Sequence, residues 1–316
     1  MKKLFALVLS LCLVLTCVSF AAAETTYTVG IVQLVQHPAL DAATQGFRDA
    51  LTALLGDKVI FDEQNASNDI PACATIANGF VAGNVDLIMA NATPALQAAV
   101  GATADIPILG TSISHYGTAL DMTEGWQGFT GINVSGTSDL APLDGQATMI
   151  KELFPEAKTV ALLFCSAEAN SLYQVGVIKE ELTKLGYECQ EFAFTDSNDV
   201  AALAQQATDC DVIYIPTDNT AASYTETIAN VVIPAGIPVI AGEEGICAGC
   251  GVATLTIDYY DIGYKTGEMA YEILVNGADV STMPIEFAPQ FTKKYNPVNC
   301  TELGITAPEG YAAIEQ

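Results

Sequence analysis

Cys247-Ala248-Gly249-Cys250 is the spacing in this chain that points most directly to reactive chemistry, because two thiols at C-x-x-C can form a redox pair or part of a zinc site. A zinc site would need a second such pair or a neighbouring histidine. Neither is present, and the two histidines, His37 and His115, stand in no metal-binding spacing. A phosphate-binding Gly-rich loop and a Gly-x-Ser-x-Gly elbow are also missing. The reading is therefore a structural or incidental role for the two cysteines, with no catalytic residue, no metal and no cofactor. What the sequence does offer is hydrogen bonding. Six short loops are rich in amide, hydroxyl and carboxylate side chains: Gln36-His37-Pro38, Asn91 to Pro94, Thr111 to Ser114, Ser166 to Ser171, Thr217 to Thr220, and Glu243-Glu244-Gly245.

These loops suit a small zwitterion. A carboxylate would be held by Asn91, Thr93 and Ser112 together with free N–H groups at helix starts, and an ammonium group by Asp218 or Glu243 through charge-assisted hydrogen bonds. Gln36, Asn170, Ser171 and Asn219 complete the candidate ligand-binding set. No Lys or Arg occurs in the loops, which argues against phosphorylated or multiply anionic ligands. Each residue also has a plainer reading, with Thr93, Asn170 and Asn219 as N-caps and Glu243 and Glu244 as solvated turn acids.

The elements that must position these loops are written twice. Gly46 and Gly56 bracket a stretch ending Leu51 to Leu55, and Gly176 and Gly186 bracket one ending Leu182 to Leu185. Ser67-Asn68-Asp69 is matched by Ser197-Asn198-Asp199, Asp86-Leu87-Ile88-Met89 by Asp211-Val212-Ile213-Tyr214, and Ile106 to Gly110 by Ile237 to Gly242. Apolar β-branched runs alternate with helical stretches of ten or more residues, the pattern of βαβ crossovers and a parallel sheet covered on both faces. The fold class is α/β: two Rossmann-like lobes with parallel sheets and a ligand cleft between them. Such ligands sit beyond the carboxyl ends of the strands, where the six loops lie. We expect an N-terminal lobe of residues 24–133 plus about 256–282, and a C-terminal lobe of 134–255 plus about 283–316. Crossings are expected at Gly128 to Gly136, near Val252 to Thr256, and at Pro284 to Phe291.

Composition narrows the partners. The chain carries 37 acidic against 11 basic residues, a net charge of −26, and so repels nucleic-acid backbones. Lys2 and Lys3 before an apolar run from Leu4 to Phe20, then Ala21-Ala22-Ala23, read as a signal peptide over residues 1–23. Val14-Leu15-Thr16-Cys17 approaches a lipobox, so a lipid anchor at Cys17 is the alternative. The product is exported, to a periplasm or the outer face of the cytoplasmic membrane, and is expected to be a monomer. The seven cysteines beyond the leader are expected to be mostly buried thiols with at most one or two disulfides.

Gly30 to Phe47, Asn91 to Pro94, Asn133 to Asp139, Glu168 to Ser171, Pro216 to Thr220, Gly242 to Gly245 and Asp258 to Gly263, taken in order, resemble the ABC-transporter substrate-binding proteins of the tryptophan/tyrosine-type family. The resemblance covers essentially the whole mature chain. It implies a type I periplasmic-binding-protein fold with three crossings, closure around an aromatic amino acid, and an ABC permease with its ATPase as partners. Tyr116, Tyr173 and Trp126 are candidates for an aromatic clamp. The competing functions are an exported enzyme or metalloprotein using Cys247 and Cys250, and a solute receptor feeding a membrane sensor.

Overall fold

The computed structural model describes residues 25–122 and 128–315. The expected leader with Cys17, and Trp126, lie outside them.

Two sheets carry the molecule. The first contains β1 (Tyr27–Gln33), β2 (Val59–Asn65), β3 (Leu87–Asn91), β4 (Ile108–Thr111), β5 (Val134–Ser138) and β11 (Glu286–Phe287), in the order β11-β5-β4-β3-β1-β2 and parallel throughout. The second contains β6 (Thr159–Cys165), β7 (Glu188–Phe194), β8 (Val212–Ile215), β9 (Val239–Ala241), β10 (Ala253–Thr256), β12 (Thr292–Tyr295) and β13 (Ala312–Ala313), in the order β13-β12-β10-β9-β8-β6-β7. Only β12 runs against its neighbour β10. The α/β class with two parallel sheets read from the sequence is thus what the chain forms.

Both faces of the central strands are buried, as their unbroken apolar runs require. Alternate residues feed opposite faces: Val32, Ile88 and Ile108 pack into one cluster, while Ile31, Leu87, Met89 and Leu109 pack with Phe47 and Leu51 into another. Phe47 and Leu51 belong to α1 (Pro38–Leu55), which Pro38 starts with the φ a first helical turn needs. Against α1 lies α11 (Tyr259–Leu274), which returns from the second sheet to the first. The two helices touch backbone to backbone, and a Cβ on Gly263 would run into the carbonyl of Ala43.

The passages between sheets fall later in sequence than expected. Residues 134–138 lie inside the segment expected to cross, or just beyond it, yet they form β5 of the first sheet, so the chain leaves that sheet only after Ser138. Glu286 and Phe287 likewise pair with β5, leaving 288–291 as the return to the second sheet. Thr and Ser hydroxyls explain why β5 looked like a linker: its polar side chains are buried and paired, with the hydroxyls of Thr111 and Thr137 3.1 Å apart and those of Thr137 and Thr266 2.8 Å apart. All seven described cysteines are free, and six of them are buried. No helix among the described residues is long and apolar enough to cross a membrane.

Candidate functional site

Strand register sets the first wall of the site. Gln33 pairs with Asn91 and Asn91 with Thr111, so the last residues of β1, β3 and β4 form one row at the carboxyl edge. Opposite stands the equivalent edge of the second sheet, where Ile215 pairs with Ala241 ahead of the Asp218 and Glu243 loops. The two edges are in contact. His37 Nε2 lies 3.3 Å from Asn219 Oδ1, Asn68 Nδ2 donates to Thr220 Oγ1 at 3.1 Å, and Gln174 Nε2 donates to Ser114 Oγ at 3.2 Å. The His115 and Tyr173 rings stack in parallel with centroids 4.1 Å apart. In each of these pairs one partner comes from the first-sheet side and the other from a helix of the second, so this is a closed arrangement.

On the first-sheet side, Asn91 is held rigidly while one of its atoms is left over. Its Nδ2 donates to Leu40 O at 2.8 Å and to Thr44 Oγ1 at 2.9 Å; Thr44 in turn donates to Gln33 Oε1 at 2.6 Å, and Gln33 Nε2 donates to Asp41 Oδ1 at 2.7 Å. That chain of donors fixes the amide orientation and leaves Asn91 Oδ1 buried without a partner. Thr93 Oγ1, Ser112 Oγ and His37 Nδ1 are in the same position. Thr93 opens α3 (Thr93–Ala102), and the residue before it, Ala92, has no side chain able to cap the helix. Burial lowers the pKa of His37, against the bond to Asn219 and the charges of Glu168 and Asp41, so its ring is neutral at neutral pH.

A carboxylate not foreseen as a ligand contact stands between the walls. Asp139 follows β5 where the chain passes to the second sheet, and only 3% of its surface is exposed. Its Oδ2 accepts from the Tyr259 hydroxyl at 3.1 Å, whereas Oδ1 has no hydrogen-bond partner. Burial pushes this carboxyl up to about 6, opposed by the nearby Ser114 and Tyr259 hydroxyls. In sequence it ends the Asn133 to Asp139 run that carries part of the family resemblance, as an acid after a series of hydroxyl residues.

The second-sheet loops are arranged differently, because their acids are consumed by their own backbone. Asp218 Oδ1 accepts from Ala221 N at 2.8 Å, and its Oδ2 accepts from Cys165 N at 2.6 Å and Ser171 Oγ at 2.7 Å. Glu243 accepts from Gly245 N at 2.6 Å and from Ile246 N. Both expected ammonium partners therefore serve as N-caps, of α8 (Asn219–Ser223) and α10 (Glu244–Cys250). Burial raises each carboxyl to about 7, with Glu168 adding to the effect at Asp218.

Glu168, which stands in the Ser166 to Ser171 loop but outside the ligand-binding set read from the sequence, is the hub of this wall. Its Oε1 accepts from Thr220 N at 2.9 Å and Thr220 Oγ1 at 2.8 Å; its Oε2 accepts from Asn219 N at 3.1 Å, Asn219 Nδ2 at 2.6 Å and Asn170 Nδ2 at 3.1 Å. Asn170 also donates to Thr217 O at 3.0 Å, so its Oδ1 is left without a partner in the chain.

Of the residues proposed from sequence, the structure gathers Asn91, Thr93, Ser112, Asn170, Ser171, Asp218, Asn219 and Glu243 at the two facing edges, all of them buried, whereas Gln36 is exposed. Tyr116 is not a clamp: its ring is buried beneath the first sheet's edge and its hydroxyl donates to Gly110 O at 3.0 Å and Thr137 O at 3.2 Å. Tyr173 lies at the rim, stacked on His115. Cys247 and Cys250 are fully buried in α10, and burial pushes both thiols far above the ordinary range, so both sit as neutral thiols packed in the helix.

The unpartnered atoms are of both kinds. The hydroxyls of Thr93 and Ser112 can donate, while Asn91 Oδ1, Asn170 Oδ1 and the Asp139 carboxylate can only accept. Burying such an atom unpaired costs about 1–3 kcal/mol. A ligand carrying a donor group and an acceptor group together recovers that cost.

Comparison with known proteins identifies the family. The family described as ABC transporter substrate binding protein matches residues 28–314. A tyrosine-binding protein of Clostridioides difficile (strain R20291) is 38% identical over 264 residues, covering 81% of this chain and 75% of that protein. The ABC domain of a Streptococcus pneumoniae protein in complex with L-Trp superposes with a TM-score of 0.87 at 32% identity, over 92% of this chain and 100% of that one. A ligand-free, open substrate-binding protein with adhesive properties from Clostridium difficile is more similar in sequence, at 38%, yet superposes less well, with a TM-score of 0.69 over 92% of this chain and 99% of that one. That relative is open, whereas here the two edges are in contact. Distant solute-binding proteins at 14% identity, with TM-scores of 0.61 and 0.59, share the type I periplasmic-binding-protein fold alone.

Proposed function

Because this chain belongs to the ABC transporter substrate-binding proteins, we propose that it captures an aromatic L-amino acid between its two sheets and presents it to a permease. It is an extracytoplasmic binding component of a transporter and not an enzyme. The finer address is the periplasm or the outer face of the membrane, with Cys17 as the anchor in the second case. The moving bodies are the two sheets with their helices, which close around the ligand by hinge rotation at the three thin passages.

The observation that carries the reading is the buried set of unpartnered donors and acceptors. The ligand's ammonium group pairs with Asp139 Oδ1, with Asn91 Oδ1 as a second acceptor, and its carboxylate lies at Thr93, Ser112 and the start of α3. The tyrosine-binding and L-Trp-bound relatives support an aromatic side chain.

Calorimetry on the mature chain with L-tyrosine, L-tryptophan, L-phenylalanine and L-leucine is the test. Saturating an aromatic amino acid to 100 times its dissociation constant should stabilise the fold by about 2.7 kcal/mol. Asp139→Asn should weaken binding about 100-fold, since it removes one partner of a desolvated charge pair. A sugar or nucleoside that binds where no amino acid does would overturn the reading.

A further inference from the structure

Ala92 holds a backbone conformation that L-residues avoid. Its φ is 88° and its ψ 155°, in a region that is essentially glycine's own, and the residue is completely buried. Ser112, at the end of the neighbouring strand β4, is also strained, with φ at 56°. The strained Ala92 peptide is tied across the row: Ala92 N donates to Thr111 O at 3.1 Å, and Leu34 N to Asn91 O at 3.2 Å.

Position 92 is also the N-cap of α3, where Ser, Thr, Asp or Asn would ordinarily bond back to the first turn, and alanine is among the poorest choices there. Both irregularities act on one place. The first turn of a ten-residue helix is left uncapped, and beside it stand two buried, unpartnered hydroxyls, Thr93 Oγ1 at 2% exposure and Ser112 Oγ at 6%. We propose that Ala92 is a positioning residue whose strained, side-chain-poor backbone keeps the first turn of α3 open to the ligand's carboxylate. The proposal rests on the amino-acid reading above.

The ligand takes the cap's role. A carboxylate at this end of α3 gains from the N–H groups and from the positive end of the helix dipole. A serine at 92 would fill that place from within the chain, and a glycine would let the peptide relax out of it.

The experiment measures the affinity of the parent, Ala92→Gly and Ala92→Ser for the bound aromatic L-amino acid and for its carboxamide, in which a neutral amide replaces the carboxylate. Weak carboxamide binding is read by competition, and melting temperatures are recorded alongside. Ala92→Gly should melt no lower than the parent yet bind the amino acid about fivefold more weakly, and Ala92→Ser more weakly still. The carboxamide should lose less than twofold in either variant. Equal losses for the two ligands would reduce Ala92 to a packing residue and overturn the proposal, as would amino-acid affinities within twofold of the parent. A parent that binds no aromatic amino acid removes the functional reading and this inference together.

Discussion

Asn91-Ala92-Thr93 joins β3 to its helix as Thr217-Asp218-Asn219 leads from β8 into its own, and the two tripeptides start those helices in opposite ways. In the second, Asp218 turns its carboxylate back onto Ala221 N, and Glu168 accepts from the backbone N–H of both Asn219 and Thr220. In the first, Ala92 has nothing to offer the helix, and Thr93 Oγ1 is buried without a partner. The same contrast recurs one loop on, where Glu243 caps α10 while Ser112 leaves its hydroxyl unpaired. A duplicated unit has thus diverged into one edge that satisfies itself and another that needs a ligand. On the proposed reading the first edge supplies most of the ligand's partners, while the second, apart from Asn170 Oδ1, is a surface for the first to close upon.

The hardest blow to this contrast should fall on Glu168. Its two oxygens accept from five donors, so Glu168→Gln places an NH2 group against donors and removes the charge that gathers them. We expect a loss of about 3 kcal/mol in chemical denaturation, with any loss of affinity following from the disordered wall. A variant as stable as the parent would show that the second edge is not the rigid one.

Asp218→Asn should cost less, about 1–2 kcal/mol, because one oxygen remains to accept while the second is replaced by a donor facing Cys165 N and Ser171 Oγ. Its affinity for the amino acid, measured by calorimetry at a temperature where the variant is folded, should stay within about twofold of the parent. A large loss of affinity at unchanged stability would return Asp218 to the ammonium role.

Much of this was legible in the sequence. Apolar β-branched runs and ten-residue helical stretches gave the strands and helices, and the repeat gave two sheets with facing edges. The edge residues themselves stood out as polar side chains in otherwise apolar surroundings. Less legible was which polar atoms are spent within the chain. Asp218 and Asp139 both lie at the carboxyl ends of strands, and only the backbone around each decides that Asp218 curls into its own helix while Asp139 leads out along a passage. β5 was misread for the related reason that Ser135, Thr137 and Ser138 are buried but hydrogen-bonded, so their polarity concealed a strand. The seven free thiols follow the simpler rule that a cysteine in an apolar strand or helix packs as a small hydrophobe.

Asp139 makes the comparison sensitive to pH. Its folded-state pKa, raised to about 6, means that below about pH 6 the unliganded protein holds a proton which the ligand's ammonium must displace. Sign follows directly: this group favours the unliganded fold fully below the ordinary carboxylate range, and that contribution is lost as pH rises through about 6. Affinity should move the other way. It should rise about tenfold from pH 5 to 6 to 7 in total and then level, because the ligand's own charges do not change over that range. Asp139→Asn should flatten the profile. A profile that keeps its slope in the variant would assign the titration to Glu243 or Asp218, the other buried carboxyls raised to about 7.

The smallest effect expected is also the cleanest test of the contrast. Thr93→Val keeps the β-branched shape and removes only Oγ1, an atom with no partner in the chain, so the folded protein loses no hydrogen bond. Stability without ligand should be unchanged or up to about 1 kcal/mol higher, since a buried polar atom has been deleted. Affinity for the amino acid should fall by about fivefold, the ~1 kcal/mol net worth of one ordinary hydrogen bond. The matched change on the other edge, Ser171→Ala, removes a hydroxyl that donates to Asp218 Oδ2 at 2.7 Å. It should lower stability by about 1 kcal/mol and leave affinity nearly as it was. If thermal melts and calorimetry gave the two variants the same signature, the division of labour between the two edges would not hold.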